Sequence, residues 1–335
     1  MARRRSFLST LAVLAMCTAI NAGAAELTKA SLRLKWLPQT QFAGYYMAMA
    51  KGYYKDEGID LTLNPGGPNL QCETLVASGA DTFGVSGGAD SVIAARIKGL
   101  PVVSVGMVGQ VTPLVFVVRK DGPIKTLEDF RGKKVAVWFN GANLVLFRML
   151  ASKGIQPSEM TIQPQQIGVT PFVDGSVDVI GAFTYNELLS IQNRVGADKL
   201  RLFTPGDFGV ALPVDSLIVS EQTAKDKPEL VKAFLRATLR GWQDVYKDPK
   251  AGVDVVMKVA PTLDRDLQER QLTEVLRLMN SGQAKSQGLF YLDPGELQKA
   301  HDLLRPTMTK DVDLKQAFDG SFLNSIPVPS RLALK

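Results

Sequence analysis

Cys17, Cys72 and His301 are the only cysteines and the only histidine among the 335 residues of this chain. An activated thiol needs a neighbouring base, and a structural or catalytic zinc needs three or four clustered ligands. One His and two Cys, far apart in sequence, supply neither without several carboxylates. Cys72, in the helical run Asn69-Leu70-Gln71-Cys72-Glu73, reads as a small core residue. His301 reads as a position on a surface helix, Pro294 to Leu304. No catalytic residue, metal or cofactor is expected. The chemistry left to the chain is recognition, in which aromatic faces stack on a ring and short polar groups in glycine-bearing loops hydrogen-bond to it.

Five loops carry such residues. Trp36-Leu37-Pro38-Gln39-Thr40 offers Trp36 and Gln39, and Pro65-Gly66-Gly67-Pro68-Asn69 offers Asn69. Ser86-Gly87-Gly88-Ala89-Asp90 offers Ser86 and Gly87. Phe139-Asn140-Gly141-Ala142-Asn143 offers Asn140, Gly141 and Asn143, and Thr184-Tyr185-Asn186-Glu187 offers Tyr185 and Glu187. Any one of these loops is ordinary in a strand–helix protein. Trp36 reads equally well as core, and Tyr45, Tyr46, Tyr53 and Tyr54 fall mostly at helical spacing, a packing pattern. None of the loops shows GxGxxG or GxxxxGK[ST], which argues against a dinucleotide or nucleoside triphosphate. None contains Arg, which a sulfonate, nitrate or phosphate site often supplies.

The elements that position these loops alternate strand and helix, the signature of an α/β sheet protein. Strands are predicted at 32–35, 59–63, 82–85, 101–108 and 113–119, then at 134–138, 160–166, 177–183, 200–203 and 217–219. Helices are predicted at 42–57, from a cap at Asn69 to Gly79, at 89–98, 143–153 and 185–195, and beside a cap at Thr170. Thr126 and Asp129 have capping-box spacing. After 219 the pattern turns helical, with Pro228, Pro249 and Pro294 each opening a helix. No repeat at fixed spacing is present. Two α/β units imply two lobes around a cleft: lobe one from 25–115 and 215–335, lobe two from 116–214. Crossings are expected near 113–120 and 209–217, and ligand at the carboxyl ends of the strands.

Residues 1–24 read as a cleaved export signal: Arg3-Arg4-Arg5, an apolar run from Phe7 to Ile20, then Ala22-Gly23-Ala24. Arg4-Arg5-Ser6-Phe7-Leu8 resembles a twin-arginine core, and an Arg-rich secretory signal fits as well. Leu14-Ala15-Met16-Cys17 resembles a lipoprotein box with Met16 at the small-residue position, so a soluble periplasmic protein is expected over a lipid-anchored one. The signal removes three arginines and no acid, so the net charge of +6 falls to +3 on cleavage. No basic cluster with interleaved aromatics is present, and nucleic acid is not expected. With no pair of cysteines left after cleavage, no internal disulfide is expected.

The set of motifs is more specific than its members. Trp36-x-Pro38, Tyr45-Tyr46 and Lys51-Gly52-Tyr53-Tyr54-x-x-Glu57-Gly58-Ile59-Asp60 resemble the thiamine-pyrimidine precursor-binding proteins of bacterial ABC importers. Asp81-x-Phe83-Gly84-Val85, Lys98-Gly99-x-Pro101-Val102 and Leu127-x-x-Phe130-x-Gly132-Lys133-Lys134-Val135 fit the same superfamily. Tyr185-Asn186-Glu187 and Asp207-Phe208-Gly209-Val210 fall where its lobe-two and hinge motifs lie. The resemblance implies a two-lobed type II periplasmic binding protein fold with a helical C-terminal segment. It implies a monomer that captures a small heteroaromatic ligand, a thiamine-pyrimidine precursor, and delivers it to an importer permease by hinge closure. Trp36 would stack on the ring and Glu187 would accept from an exocyclic amine. Tyr45, Tyr185, Ser86, Asn140 and Asp207 would join them. Riboflavin, another heteroaromatic, or a sensor role outside import are the alternatives. A pyrimidine synthase of the same fold relies on a Cys cluster and an active-site His, and this chain has neither.

Overall fold

The computed structural model describes residues 26–334 other than 69 and 140. Asn69, Asn140 and the expected export segment, with Cys17, therefore lie outside the described residues. Among the described residues ten strands form two sheets of five. They are β1 (Thr28–Arg33), β2 (Ile59–Asn64), β3 (Phe83–Val85), β4 (Val102–Gly109), β5 (Leu114–Arg119), β6 (Lys134–Val137), β7 (Thr161–Pro164), β8 (Val179–Phe183), β9 (Leu200–Phe203) and β10 (Val214–Ser220). The first sheet has the order β2-β1-β3-β10-β4 and the second β7-β6-β8-β5-β9.

The two sheets repeat one topology. β1 pairs in parallel with β2 and β3, and β10 runs antiparallel between β3 and β4. Likewise β6 pairs in parallel with β7 and β8, and β5 runs antiparallel between β8 and β9. In each sheet the antiparallel strand has just arrived from the other one. The chain leaves the first sheet after Gly109, passes through 110–113, and starts β5 wholly within the second. That crossing precedes the expected window, because the apolar run Leu114–Val118 is fully buried in the second sheet rather than spanning between lobes. The return runs through 204–213.

Helices cover both sheets: α1 (Ala43–Ala50), α2 (Tyr53–Asp56), α3 (Cys72–Ala77), α4 (Ala89–Ile97), α5 (Ala142–Ala151), α6 (Thr170–Val173), α7 (Glu187–Val195), α8 (Glu221–Asp226), α9 (Pro228–Lys247), α10 (Pro249–Val259), α11 (Arg265–Met279), α12 (Ala284–Gln287) and α13 (Pro294–Leu304). The single helix expected over 42–57 is two, because Gly52 at φ +75° turns left-handed between them. Thr170 is the first residue of α6 rather than its cap, a place held by Val169. Thr126 and Asp129 form the expected capping box, the Thr126 amide donating to Asp129 Oδ2 at 2.8 Å.

α9 shows how the C-terminal segment is held. Val231, Phe234, Leu235, Thr238, Leu239, Trp242 and Val245 recur at three- and four-residue steps and are all buried. Phe234 stacks on Phe83 with 3.9 Å between ring centroids, tying α9 to the first sheet. Large apolar side chains buried this completely each contribute about 3–5 kcal/mol against truncation to Ala. One core lies between the first sheet and α1, α9, α10 and α11, and another under β5 and β6 with α5. The C-terminal helices therefore pack on the first sheet. Among the described residues no helix is long and apolar enough to cross a membrane.

Candidate ligand-binding cleft

The carboxyl ends of the parallel strands of the two sheets face each other, and the space between them is the cleft. It encloses about 850 Å³, its open mouth included. The first sheet contributes Lys35 and Trp36 just past β1, and Ser86 and Gly87 just past β3. The second contributes Trp138 just past β6, and Tyr185 and Glu187 just past β8. Thr112 and Leu212 from the two crossings, with Leu114 and Val214 at the starts of β5 and β10, complete this part of the lining.

The local backbone explains how Trp36 is presented. Gly66 donates its amide to the Trp36 carbonyl at 2.9 Å. A Cβ at Gly66 would sit 2.2 Å from the Leu34 carbonyl oxygen, so only glycine lets the two loops lie this close. Trp36 meets Trp138 edge-on, with centroids 5.9 Å apart at 77°. Trp138 stacks on Phe183 at 5.5 Å and 17°, and Phe183 on Tyr185 at 5.5 Å and 10°. Four aromatic rings from both lobes thus form one continuous wall. Lys35 Nζ lies 4.9 Å from the Phe183 ring centre, a cation–π distance.

The rest of the lining is polar. Lys35 pairs with Asp215, and Gln41 Nε2 donates to the same carboxylate at 3.4 Å. Gln39 Nε2 donates to Gln41 Oε1 at 2.6 Å. Ser86 Oγ donates to Glu73. Asp90 accepts from the Ser91 amide at 2.9 Å, and burial pushes its carboxyl up to about 6. Glu187 accepts from the Phe183 amide at 3.1 Å and from Asn186 Nδ2 at 2.8 Å. Burial raises Glu187 to about 7, against the opposing pull of those donors and of Lys35. Burial, and then the charges of Asp215 and Glu187, push the Tyr185 phenol well above its ordinary range. Among the described residues the Tyr185 hydroxyl, Trp138 Nε1 and Ser91 Oγ have no hydrogen-bond partner although all are buried. Such groups are costly unless something satisfies them.

Of the expected residues, Trp36, Gln39, Ser86, Gly87, Gly141, Tyr185 and Glu187 meet in this cleft. Asn69 and Asn140 lie outside the described residues. Three others are elsewhere. Tyr45 is core: α1 turns it away from the cleft onto Trp242, edge-on at 5.9 Å, and leaves it 1% exposed. Asn143 sits behind the lining, its amide bonded to the Trp138 carbonyl at 3.0 Å and its Oδ1 accepting from Gly141 at 3.4 Å, so it shapes the loop. Asp207 is exposed and caps a turn, accepting from Thr204 Oγ1 at 2.6 Å.

Other residues were absent from the candidate set. Trp138 and Phe183 build the aromatic wall, and Lys35, Gln41, Glu73 and Asp90 build the polar one, with Asp215 behind it holding Lys35 and Gln41. Cys72, read as plain core, also lines the cleft. Its thiol is raised by burial and lies 3.6 Å from the Leu34 carbonyl oxygen, an environment that suppresses thiolate reactivity. His301 is on the expected helix but is buried, not on the surface, with Nε2 2.8 Å from the Asp311 carboxylate.

The lobes also touch beside the cleft. Thr184 Oγ1, past β8, donates to Glu274 Oε1 on α11 at 3.0 Å, and Arg270 Nη1 on α11 donates to Asn193 Oδ1 on α7 at 3.0 Å. Arg148 Nη2 on α5 donates to the Leu304 carbonyl at the end of α13 at 3.3 Å.

The riboflavin-binding protein RibY of Chloroflexus aurantiacus is 29% identical over 309 residues, covering 89% of this chain and 86% of its own. A 4-amino-5-hydroxymethyl-2-methylpyrimidine phosphate synthase of Legionella pneumophila is 25% identical over 74% of this chain and 79% of its own. The formylaminopyrimidine-binding protein of Halalkalibacterium halodurans is 26% identical over 82% and 86%. The ligand-binding component of an ABC-type import system from Staphylococcus aureus superposes at a TM-score of 0.66 and 14% identity, covering 90% of this chain and 99% of its own. That likeness establishes the two-lobed periplasmic binding protein fold. The NMT1/THI5-like family profile matches residues 39–252, well over half of the sequence, and the chain belongs to that family.

Proposed function

We propose that this protein is an exported binding protein that takes a flat heteroaromatic ring into its cleft and delivers it to an ABC importer. The observation that carries the reading is the wall Trp36–Trp138–Phe183–Tyr185 with the buried Glu187 carboxylate at its edge. A ring laid against such a wall gains about 0.5–1.5 kcal/mol per aromatic contact beyond burial. A charged acceptor beside it adds roughly 1.5–3 kcal/mol for a ligand amine. An aminopyrimidine precursor of thiamine offers both a ring and an amine. Riboflavin is the second reading, favoured by the length of the aromatic wall and by the RibY relative.

The lobes, 25–115 with 215–335 and 116–214, close by a hinge at the two crossings. The bonds from Glu274, Arg270 and Arg148 across the cleft edges then break on opening. The synthases among the relatives set the competing reading. The buried, inert Cys72 and the distant His301 favour capture over turnover. The protein is expected to act as a monomer, processed near Ala24 and retained in the periplasm. The test is to purify it without added ligand, denature it, and identify what it releases by mass spectrometry. An aminopyrimidine or a flavin, recovered intact after long incubation with fresh protein, supports the reading. A non-aromatic solute, or conversion of the ring, overturns it.

A further inference from the structure

The repetition of topology between the sheets extends to the helices that open on the cleft. α4 follows β3 and α7 follows β8, the same slot in each sheet. Helix N-termini at such slots present unpaired N–H groups and a positive dipole end, the usual means by which a cleft of this kind holds an anion. Here each slot already contains one. Asp90 lies in the first turn of α4 and Glu187 in the first turn of α7. Both are buried, at 6% and 7% exposure, and both line the cleft. Glu73 repeats the arrangement in the first turn of α3.

The remaining charges do not offset these carboxylates. Among the described residues Lys35 is the single cation lining the cleft, and it is committed to Asp215. α5 has no acid in its first turn. Its start, however, lies against α4: a Cβ at Gly141 would come within 2.7 Å of Ser91 Oγ, the neighbour of Asp90. A phosphate seated there would face the Asp90 carboxylate. A second, independent feature points to a ligand that hydrogen-bonds rather than one that brings charge. The Tyr185 hydroxyl lines the cleft, is 3% exposed and has no partner among the described residues.

We propose that the paired first-turn carboxylates Asp90 and Glu187 make this cleft selective for neutral or cationic ring compounds that donate N–H or O–H groups to both lobes, and that they exclude phosphate esters of the same compounds. This rests on the heteroaromatic reading and names its chemical class. Asp90 is then a specificity residue on the first lobe, matching Glu187 on the second. A phosphoryl group brings nearly two negative charges at neutral pH, and like charges facing each other in a partly desolvated site repel strongly.

Calorimetry at pH 7.5 on matched pairs tests this: riboflavin against riboflavin 5′-phosphate, and 4-amino-5-hydroxymethyl-2-methylpyrimidine against its phosphate. For whichever ring binds, the ester is expected to be about 100-fold weaker on the intact protein. Asp90→Asn, isosteric and uncharged, is expected to narrow that gap about tenfold while weakening the unphosphorylated ring. An ester that binds within about threefold of its alcohol overturns the selectivity and leaves the heteroaromatic reading standing. So does an Asp90→Asn protein with normal melting and an unchanged gap. Failure of both rings to bind in either form overturns the heteroaromatic reading, and the selectivity with it.

Discussion

The two lobes fill the same topological slots with different chemistry. Past β1 and its counterpart β6, each lobe places a tryptophan, Trp36 and Trp138, and the two meet edge-on at 5.9 Å. Past β3 and its counterpart β8 the lobes diverge. The first lobe presents Ser86, Gly87 and Asp90, in a lining that includes Glu73 and Lys35, the latter held by Asp215; the second presents Phe183, Tyr185 and Glu187. The first wall is therefore a charged network and the second a stack of rings with one carboxylate. A stack accepts any flat ligand of the right area, because dispersion and burial have little direction. A network of carboxylates accepts only donors in the right place, because each mismatch leaves a buried polar group unpaired. Affinity is assigned to the rings and discrimination to the carboxylates, and the two can be broken separately.

The largest effect is expected where the polar wall is asked to hold itself together. Lys35 and Asp215 are 14% and 11% exposed at their side chains. Asp215 is held at φ +60°, a conformation that Asp and Asn tolerate best among non-glycine residues. Lys35→Met leaves Asp215 buried without a cation, and breaking such a pair costs about 3–5 kcal/mol. Urea unfolding should show a loss of this size, and Lys35→Met with Asp215→Asn should recover most of it. A loss under about 1 kcal/mol in the single variant would place the pair with screened surface bridges.

Next in size is the aromatic wall. Trp138→Ala and Trp36→Ala should each weaken every ring ligand by about 1–3 kcal/mol in calorimetry, with little change in the ranking of ligands. Glu187→Gln should do the reverse. The amide is a neutral acceptor, so amino-substituted rings should weaken by about 1.5–2 kcal/mol, and rings without an amine by much less. If Trp36→Ala binds normally, its edge contact with Trp138 is packing alone. If both tryptophan variants reorder the ligands, the division between the walls fails.

Much of the scaffold was legible because local chemistry decided it. Pro228, Pro249 and Pro294 open helices that end where the apolar stripe ends, at Lys247, Val259 and Leu304. The strand Leu200–Phe203 was equally plain. The wall was less so. Trp138 read as the end of a strand, and only its correspondence with Trp36 across the two sheets marks it as lining; that correspondence is topological and leaves no fixed spacing in the sequence. Asp90 read as part of a helix start, since a first-turn acid is usually a solvated cap. Lys35 and Asp215 lie 180 positions apart and meet only through the pairing of β1, β3 and β10. Asp207 was misread although Thr204-Pro205-Gly206-Asp207 carries the same capping spacing as Thr126 and Asp129. Tyr45 was misplaced because four tyrosines at helical spacing do not say which faces a cleft.

The smallest expected effect is also the one that most directly joins the two walls: the pH dependence of Glu187. Burial raises this carboxyl from an ordinary 4.5 to about 7. Between those values the folded protein binds a proton that the unfolded chain has lost. Stability therefore falls as pH rises through this window and levels off above it. Glu187→Gln removes the titration, so the variant should gain on the parent in urea unfolding as pH rises from 5 to 8. Binding should move the other way. An amine donor needs the ionised carboxylate, which is mostly absent at pH 6 and mostly present at pH 8, so affinity for an aminopyrimidine should rise up to about tenfold across that interval. Asp90, raised to about 6, titrates in the lower part of this range, but it is common to parent and variant, as are Glu73, Lys35 and Asp215. The difference between the parent and Glu187→Gln slopes isolates the one carboxylate. Parallel slopes for the two proteins would mean that Glu187 does not change charge between pH 5 and 8, and that the aromatic wall holds its ligand without a pH-sensitive acceptor beside it.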